Sequence, residues 1–77
     1  MRDEIIEILE SIKSGIDFDK ATNIISSGVL TSLNIMSLVR KLNNEFDVEI
    51  GADSLLPENF ETVDEIEKLI QKLQIEE

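Results

Sequence analysis

The sequence predicts an all-α protein, a small bundle of three main helices and one short helix with a long first loop. Three segments place apolar residues three or four positions apart, which is the spacing of an amphipathic helix. Residues 46–50 alternate as a strand would, but this stretch is short and has no second strand to pair with. We therefore expect helices packed on helices, without a sheet.

The first predicted helix occupies residues 2–13. Its apolar residues form one face, made of Ile5, Ile8, Leu9 and Ile12. Acidic residues come early in this segment and Lys13 comes late, which suits the helix dipole. Ser14 and Gly15 are predicted to end the helix.

Residues 14–31 form a connection that is too apolar for a solvated linker. A segment of this length in a compact domain is usually functional or packed onto the core. We expect it to lie across the helices, anchored by Phe18, by Ile24 or Ile25, and by Leu30.

The second predicted helix runs from Ser32 to Phe46. Its core stripe is predicted to consist of Leu33, Met36, Val39, Leu42 and Phe46, with Leu38 beside it. Val48 and Ile50 follow in an extended turn and are expected to point inward.

Two more helices are predicted after this turn. Residues 55–60 indicate a short third helix with Pro57 near its start. The last helix begins after Thr62, which forms the pattern of a capping box with Glu65. Residues 74–77 are expected to fray. The buried face of this helix is predicted to be Val63, Ile66, Leu69, Ile70 and Leu73.

The composition excludes several kinds of site. The 77 residues include no cysteine and no histidine, which removes disulfides, thiol nucleophiles and the commonest general base. A net charge of −10 would repel nucleic acid, so the expected partners are basic protein surfaces. No apolar stretch reaches the length of a membrane span, and the acidic N-terminus is unlike a signal peptide. We expect a cytoplasmic protein without membrane insertion.

The remaining polar residues give little support to an enzyme or a metal site. Serine and threonine hydroxyls are present, but the histidine base that would activate them is not. Glu45, Asp47 and Glu49 lie close together in the sequence and offer a weak alternative, a surface cation site. Solvated charges around an extended turn are the favoured interpretation, so neither a catalytic residue nor a metal site is predicted.

Thr31 and Ser32 stand where the loop becomes the second helix. Thr31 is a good N-cap, worth about 1 kcal/mol relative to Ala. Ser32 is then the first helical residue and points outward. The spacing alone does not distinguish a functional hydroxyl from an ordinary helix start.

A longer pattern surrounds these hydroxyls. Residues 28–33, Gly-Val-Leu-Thr-Ser-Leu, precede an apolar stripe that ends in Glu45 and Phe46, and residues 57–60, Pro-Glu-Asn-Phe, precede the capped last helix. This combination resembles the acyl carrier protein family of phosphopantetheine-attachment domains. The resemblance covers roughly residues 5–73 and includes the helix order, the long first loop and the short third helix.

The resemblance implies a non-catalytic carrier with an acyl-carrier-like bundle, a single domain over residues 1–77 with its core in about 3–73. It implies that Ser32 bears 4′-phosphopantetheine taken from coenzyme A, whose thiol holds cargo as a thioester. The implied partners are a phosphopantetheinyl transferase and an adenylating ligase or acyl-transferring enzymes of lipid or natural-product biosynthesis. A monomer is expected.

Two features differ from the usual pattern of that family. The family usually has Asp immediately before the attachment Ser, and this chain has Thr31. The exposed face of the second helix is neutral to basic, whereas fatty-acid carriers have an acidic one. Gly28 and residues 57–60 are more similar to D-alanyl carriers and to stand-alone aminoacyl or natural-product carriers.

The resemblance also implies a recognition surface for partner enzymes around Ser32. It is expected to include Thr31, Leu33, Asn34, Ile35, Met36 and Arg40. The alternative for Ile35 and Met36 is that both shield the junction with the third helix, and for Met36 this is the favoured role. Three alternatives stay open: a fatty-acid carrier, a carrier-like docking domain that is never modified, and an unrelated helical bundle.

Overall fold

The computed structural model describes residues 1–76, with the backbone alone at Glu76, and it contains three α-helices. They are α1 (Arg2–Ile12), α2 (Ser32–Phe46) and α3 (Val63–Glu76). Two 3₁₀ turns, Ala52–Ser54 and Pro57–Asn59, connect α2 to α3, and residues 1–76 include no strand. The all-α prediction is confirmed, and the short helix expected within residues 55–60 is the single 3₁₀ turn Pro57–Asn59, which begins at Pro57.

The core lies between the three helices, and α1 packs against both α2 and α3. Each helix contributes a fully buried pair: Ile5 and Leu9, Leu38 and Leu42, and Ile66 and Ile70. Burying one such side chain stabilises the fold by roughly 1.5–3 kcal/mol. The predicted inner faces of the first and last helices are confirmed, with Ile8, Ile12 and Leu73 at the partly buried edge of the core.

The predicted core stripe of α2 is wrong at two positions. Leu33 is 81% exposed and Met36 is 57% exposed, whereas Leu38, Val39 and Leu42 are buried. At 100° per residue, Leu33 and Met36 point about 140° and 160° away from Leu38. The prediction therefore combined residues from two faces of the helix.

The first loop packs onto the helices as predicted. Phe18, Ile24 and Leu30 are buried, and Ile25 is half-buried, so Ile24 is the anchor of that pair. The Ile24 N–H donates to the carbonyl oxygen of Glu61 at 3.0 Å, which ties the loop to the start of α3.

Arg2 joins three parts of the chain. Its Nε donates to Oδ1 of Asp19 at 2.9 Å, and its Nη2 donates to the Asp19 carbonyl oxygen at 3.0 Å. Its Nη1 forms a second ion pair with Asp64 in the first turn of α3. This side chain fixes the N-terminus of α1 against the loop and α3.

The turn after α2 confirms the predicted extended turn. Asp47 ends the helix in the left-handed region with φ 53°, and Val48 and Ile50 are buried. Asn43 holds this turn because its carbonyl oxygen accepts from the Val48 N–H at 3.2 Å and its Oδ1 accepts from the Ile50 N–H at 3.0 Å.

The last helix is longer than predicted. Oγ1 of Thr62 accepts from the Glu65 N–H at 3.1 Å, as the capping pattern indicates. Helix α3 then continues to Glu76, beyond residue 73, after which fraying was expected. Glu77 lies outside the described residues. Within residues 1–76, no helix has both the length and the apolar character needed to cross a bilayer.

Candidate functional site

The start of α2 is held by a reciprocal cap between Thr31 and Asn34. Oγ1 of Thr31 accepts from the Asn34 N–H at 3.3 Å, and Oδ1 of Asn34 accepts from the Thr31 N–H at 3.0 Å. The Thr31 hydroxyl also lies 3.0 Å from Oδ1 of Asn34, to which it donates. The predicted N-cap is confirmed, with Asn34 in the place where such a box usually has Glu or Gln.

Ser32 is the first residue of α2 and is exposed. Its hydroxyl makes no hydrogen bond with any other residue of the 1–76 region, whereas the hydroxyl of Thr31 is engaged in the cap. Of the two adjacent hydroxyls, only that of Ser32 is therefore available to a modifying enzyme without breaking a helix cap.

The surroundings of Ser32 are suited to an anion. The first N–H groups of a helix have no intrahelical acceptor, and here the cap satisfies Asn34 while the Ile35 N–H bonds the Thr31 carbonyl oxygen at 3.0 Å. The N–H groups of Ser32 and Leu33 stay without a protein acceptor within residues 1–76. The first turn of this 15-residue helix has no acidic side chain, so its dipole favours negative charge there.

The loop that leads to Ser32 is also held by Glu61, which lies just before α3. The Glu61 carboxylate accepts from the Ile25 N–H at 2.8 Å, from the Ser26 N–H at 3.0 Å and from the Ser26 hydroxyl. These bonds lower the pKa of the Glu61 carboxyl below its usual value, and the bond from the Ser26 hydroxyl has the largest effect. Gly28 follows with φ 81°, a left-handed conformation that glycine adopts without strain.

The side chains around Ser32 divide into an exposed and a covered set. Leu33, Met36 and Arg40 are exposed on α2, whereas Asn34 and Ile35 are half-buried. Ile35 borders a small apolar cavity of about 70 Å³. The other residues that line this cavity are Ile25, Leu55, Leu56, Pro57 and Phe60. The shielding role is therefore confirmed for Ile35 and wrong for Met36, because Met36 points to solvent.

This arrangement of a capped helix with an exposed serine agrees with a comparison against known families. A family model described as "Phosphopantetheine attachment site" matches residues 2–70. The chain belongs to this family. Carrier domains of the family hold covalently attached 4′-phosphopantetheine and are generally non-catalytic. They interact with phosphopantetheinyl transferases and biosynthetic enzymes. No curated protein and no solved structure matches the chain significantly.

The residues of this carrier domain fit the group that the family carries. The attachment needs an accessible hydroxyl, and the exposed Ser32 has one. It also needs a place for a phosphodiester beside hydrogen-bond donors and away from carboxylates, and the first turn of α2 offers this. Capping by Thr31 keeps this end of the helix formed in the absence of the usual Asp.

The acidic residues at and just after the end of α2, Glu45, Asp47 and Glu49, do not converge in this carrier domain. Glu45 borders a groove with Glu4 and Lys41, whereas Glu49 borders a different one with Asp53. Among the described side chains, those of residues 1–75, no three acidic groups lie close enough together to hold a metal ion. The structure therefore does not bring the weakly favoured cation ligands together.

Sequence reasoning missed Glu61 as part of the site. It is one of 17 acidic residues, and its partners Ile25 and Ser26 lie 36 and 35 residues away. No local pattern marks a contact of that separation, so the only available signal was its position next to the Thr62 cap.

Proposed function

We propose that this carrier domain bears 4′-phosphopantetheine on Ser32 and transports an acyl or aminoacyl group between partner enzymes. The observation that carries the proposal is the exposed Ser32 hydroxyl at the N-terminus of α2, without a hydrogen bond to residues 1–76, beside a Thr31 hydroxyl that the cap occupies. When attached, the arm supplies a thiol that holds cargo as a thioester. The chain has no cysteine and therefore no thiol of its own.

Each neighbour of Ser32 has a role in this proposal. The N–H groups of Ser32 and Leu33 and the dipole of α2 stabilise the negative phosphodiester. Thr31 and Asn34 keep the end of the helix formed. A transferase and a cargo-loading enzyme recognise a surface that includes these two residues with Leu33, Ile35, Met36 and Arg40.

The proposal favours a short cargo, such as an amino acid activated by an adenylating ligase, over a long fatty chain. The cavity beside Ile35 measures about 70 Å³. This apolar cavity is small and open to solvent, so the bundle offers little enclosed space for a chain of many methylenes. Carriage of a fatty or polyketide acyl group is the alternative for the same Ser32 arm.

We also propose that residues 1–77 form a single domain, which works as a cytoplasmic monomer. One core cluster joins residues from all three helices and the first loop, which supports a single domain. The net charge of −10 supports a monomer, since like-charged copies repel one another.

Intact mass spectrometry tests the attachment site. The purified protein is incubated with coenzyme A, magnesium and a broad-specificity phosphopantetheinyl transferase. We expect the mass of one phosphopantetheinyl group to be added to the wild type and to the matched variant Thr31→Ser, which keeps the capping hydroxyl. We expect no addition to Ser32→Ala. A wild type that stays unmodified, or a Ser32→Ala variant that gains the group, contradicts the proposal.

A docking domain that is never modified is the second candidate, favoured by Thr31 in the usual place of Asp. The same assay separates the two functions through the variant Thr31→Asp. Modification of Thr31→Asp together with an unmodified wild type would support this second candidate. Comparable modification of both proteins would exclude it.

A further inference from the structure

Helix α2 differs in charge from the rest of the chain. The whole chain has a net charge of −10, and α1 and α3 begin with acidic pairs. In α2, the first acidic residue is Glu45, one position before its end, and two cations, Arg40 and Lys41, come before it. The helix that starts at Ser32 is therefore the neutral to basic side of a strongly acidic molecule.

Three exposed residues form a line along the outward face of α2. Leu33, Met36 and Arg40 are spaced three and four positions apart, so their side chains follow one another on the same face. Leu33 and Met36 are 81% and 57% exposed, and Arg40 is also exposed. We call these three residues the α2 stripe, and it begins one residue after Ser32.

Arg40 is the cation of this face that stays available for a partner. No carboxylate among the side chains of residues 1–75 lies within 4 Å of its guanidinium. Lys41, its neighbour, borders the groove between α1 and α2 together with Glu4, Glu7 and Glu45, and so lies away from the α2 stripe. The positive potential of the α2 stripe therefore comes from Arg40.

We propose that the α2 stripe docks onto a phosphopantetheinyl transferase whose contact surface is an apolar depression edged by carboxylates. Leu33 and Met36 fill the depression, and Arg40 pairs with the acidic edge. This inference rests on the proposed function, since the transferase must reach Ser32.

The charge distribution also determines how such a partner approaches. An acidic contact surface is repelled by α1, by α3 and by the net charge of the chain, and it is attracted along α2. Productive encounters are thus those that present Ser32. The net charge alone predicts partners with basic surfaces. A basic surface that approached Ser32, however, would lie against Arg40 and be repelled by it.

Charge variants with a defined transferase test the sign of this complementarity. The probe is the phosphopantetheinyl transferase of the same organism, and kcat/KM for modification is measured at low and at high salt. We expect Arg40→Gln to lower kcat/KM about 2-fold to 5-fold and Arg40→Glu about 5-fold to 30-fold, mostly through KM. High salt should reduce both effects because it screens exposed charges.

The matched control is Lys72→Glu, which changes the net charge equally from an exposed position on α3. At about 0.15 M salt, where the Debye length is about 8 Å, we expect this variant to stay within about 2-fold of the wild type, because Lys72 lies outside the α2 stripe and its charge is screened. An equal loss in Lys72→Glu, or an unchanged or raised kcat/KM in Arg40→Glu, would overturn the inference.

Three outcomes show whether the inference, the proposed function or both are wrong. Sedimentation that shows a wild-type dimer, dissociated by Arg40→Glu, would mean that the stripe covers a second copy of the chain and would overturn transferase docking. A wild type that is not modified at Ser32 removes the proposed function and the inference together. Equal modification rates in wild type and Arg40→Glu remove the inference and leave the function intact.

Discussion

At the scale of single residues, the apolar side chains of α2 fall into two groups. The exposed ones are proposed to contact partners, whereas the buried ones stabilise the fold. Leu33 lies in the first turn, where no other element covers it, and it contributes little to the core. Leu38, five residues later, is fully buried between the helices. Two leucines of one helix thus have opposite roles, and substitution distinguishes them.

We expect Leu33→Gln to change the free energy of unfolding by no more than about 0.5 kcal/mol, since Gln and Leu have similar helix propensity. Leu38→Ala should lower it by about 2–5 kcal/mol, because it leaves a cavity in the core. Urea denaturation followed by circular dichroism measures both values. A comparable loss in both variants would contradict the exposed placement of Leu33.

At the scale of the helix, the start of α2 is defined by the exchange of hydrogen bonds between Thr31 and Asn34. The sequence predicted Thr31 as the N-cap correctly, because capping depends on residues only three positions apart, but it did not predict Asn34 as the reciprocal partner. The same local reasoning failed for the core stripe, because the spacing of Leu33 and Met36 also fits a helix whose apolar residues lie on two faces. Which face is covered depends on α1, α3 and the loop, which local spacing does not include.

We expect Thr31→Ala to lower the free energy of unfolding by about 1 kcal/mol, within a range of about 0.5–2 kcal/mol. The reason is that Ala leaves the Asn34 N–H without its acceptor. Thr31→Ser, which keeps the hydroxyl, should stay close to the wild type. Thermal unfolding of the three proteins at one pH measures the difference, and an unchanged Thr31→Ala would show that the cap does not stabilise α2.

At the scale of the whole molecule, contacts between distant segments position the site. The sequence predicted the all-α class, the loop anchors and the helix that begins at Ser32, because each of these follows from periodicity or from turn residues. It did not predict that Arg2 joins Asp19 and Asp64, or that Glu61 holds the loop before Ser32. In an acid-rich chain, any of many carboxylates satisfies the same local rules, and only the folded arrangement selects the one that bonds.

The bonds of Glu61 make one part of this stability depend on pH. The Ser26 hydroxyl, the Ser26 N–H and the Ile25 N–H lower the pKa of the Glu61 carboxyl in the folded state. A carboxyl whose pKa is lower in the folded state stabilises the protein fully above the pKa of the unfolded chain. This contribution is lost as the pH falls through the folded-state pKa.

We therefore expect the free energy of unfolding of Glu61→Gln to lie below that of the wild type at neutral pH and to approach it as the solution is acidified below about pH 4. Gln keeps an oxygen that accepts hydrogen bonds, so the difference reports the charge. Ser26→Ala should reduce the same pH dependence by removing the donor that lowers the pKa most, whereas Ser27→Ala is the matched control beside it. Urea denaturation between about pH 3 and 7 measures the four profiles. A constant difference between Glu61→Gln and the wild type over this range would show that the ionised carboxylate does not hold the loop that precedes Ser32.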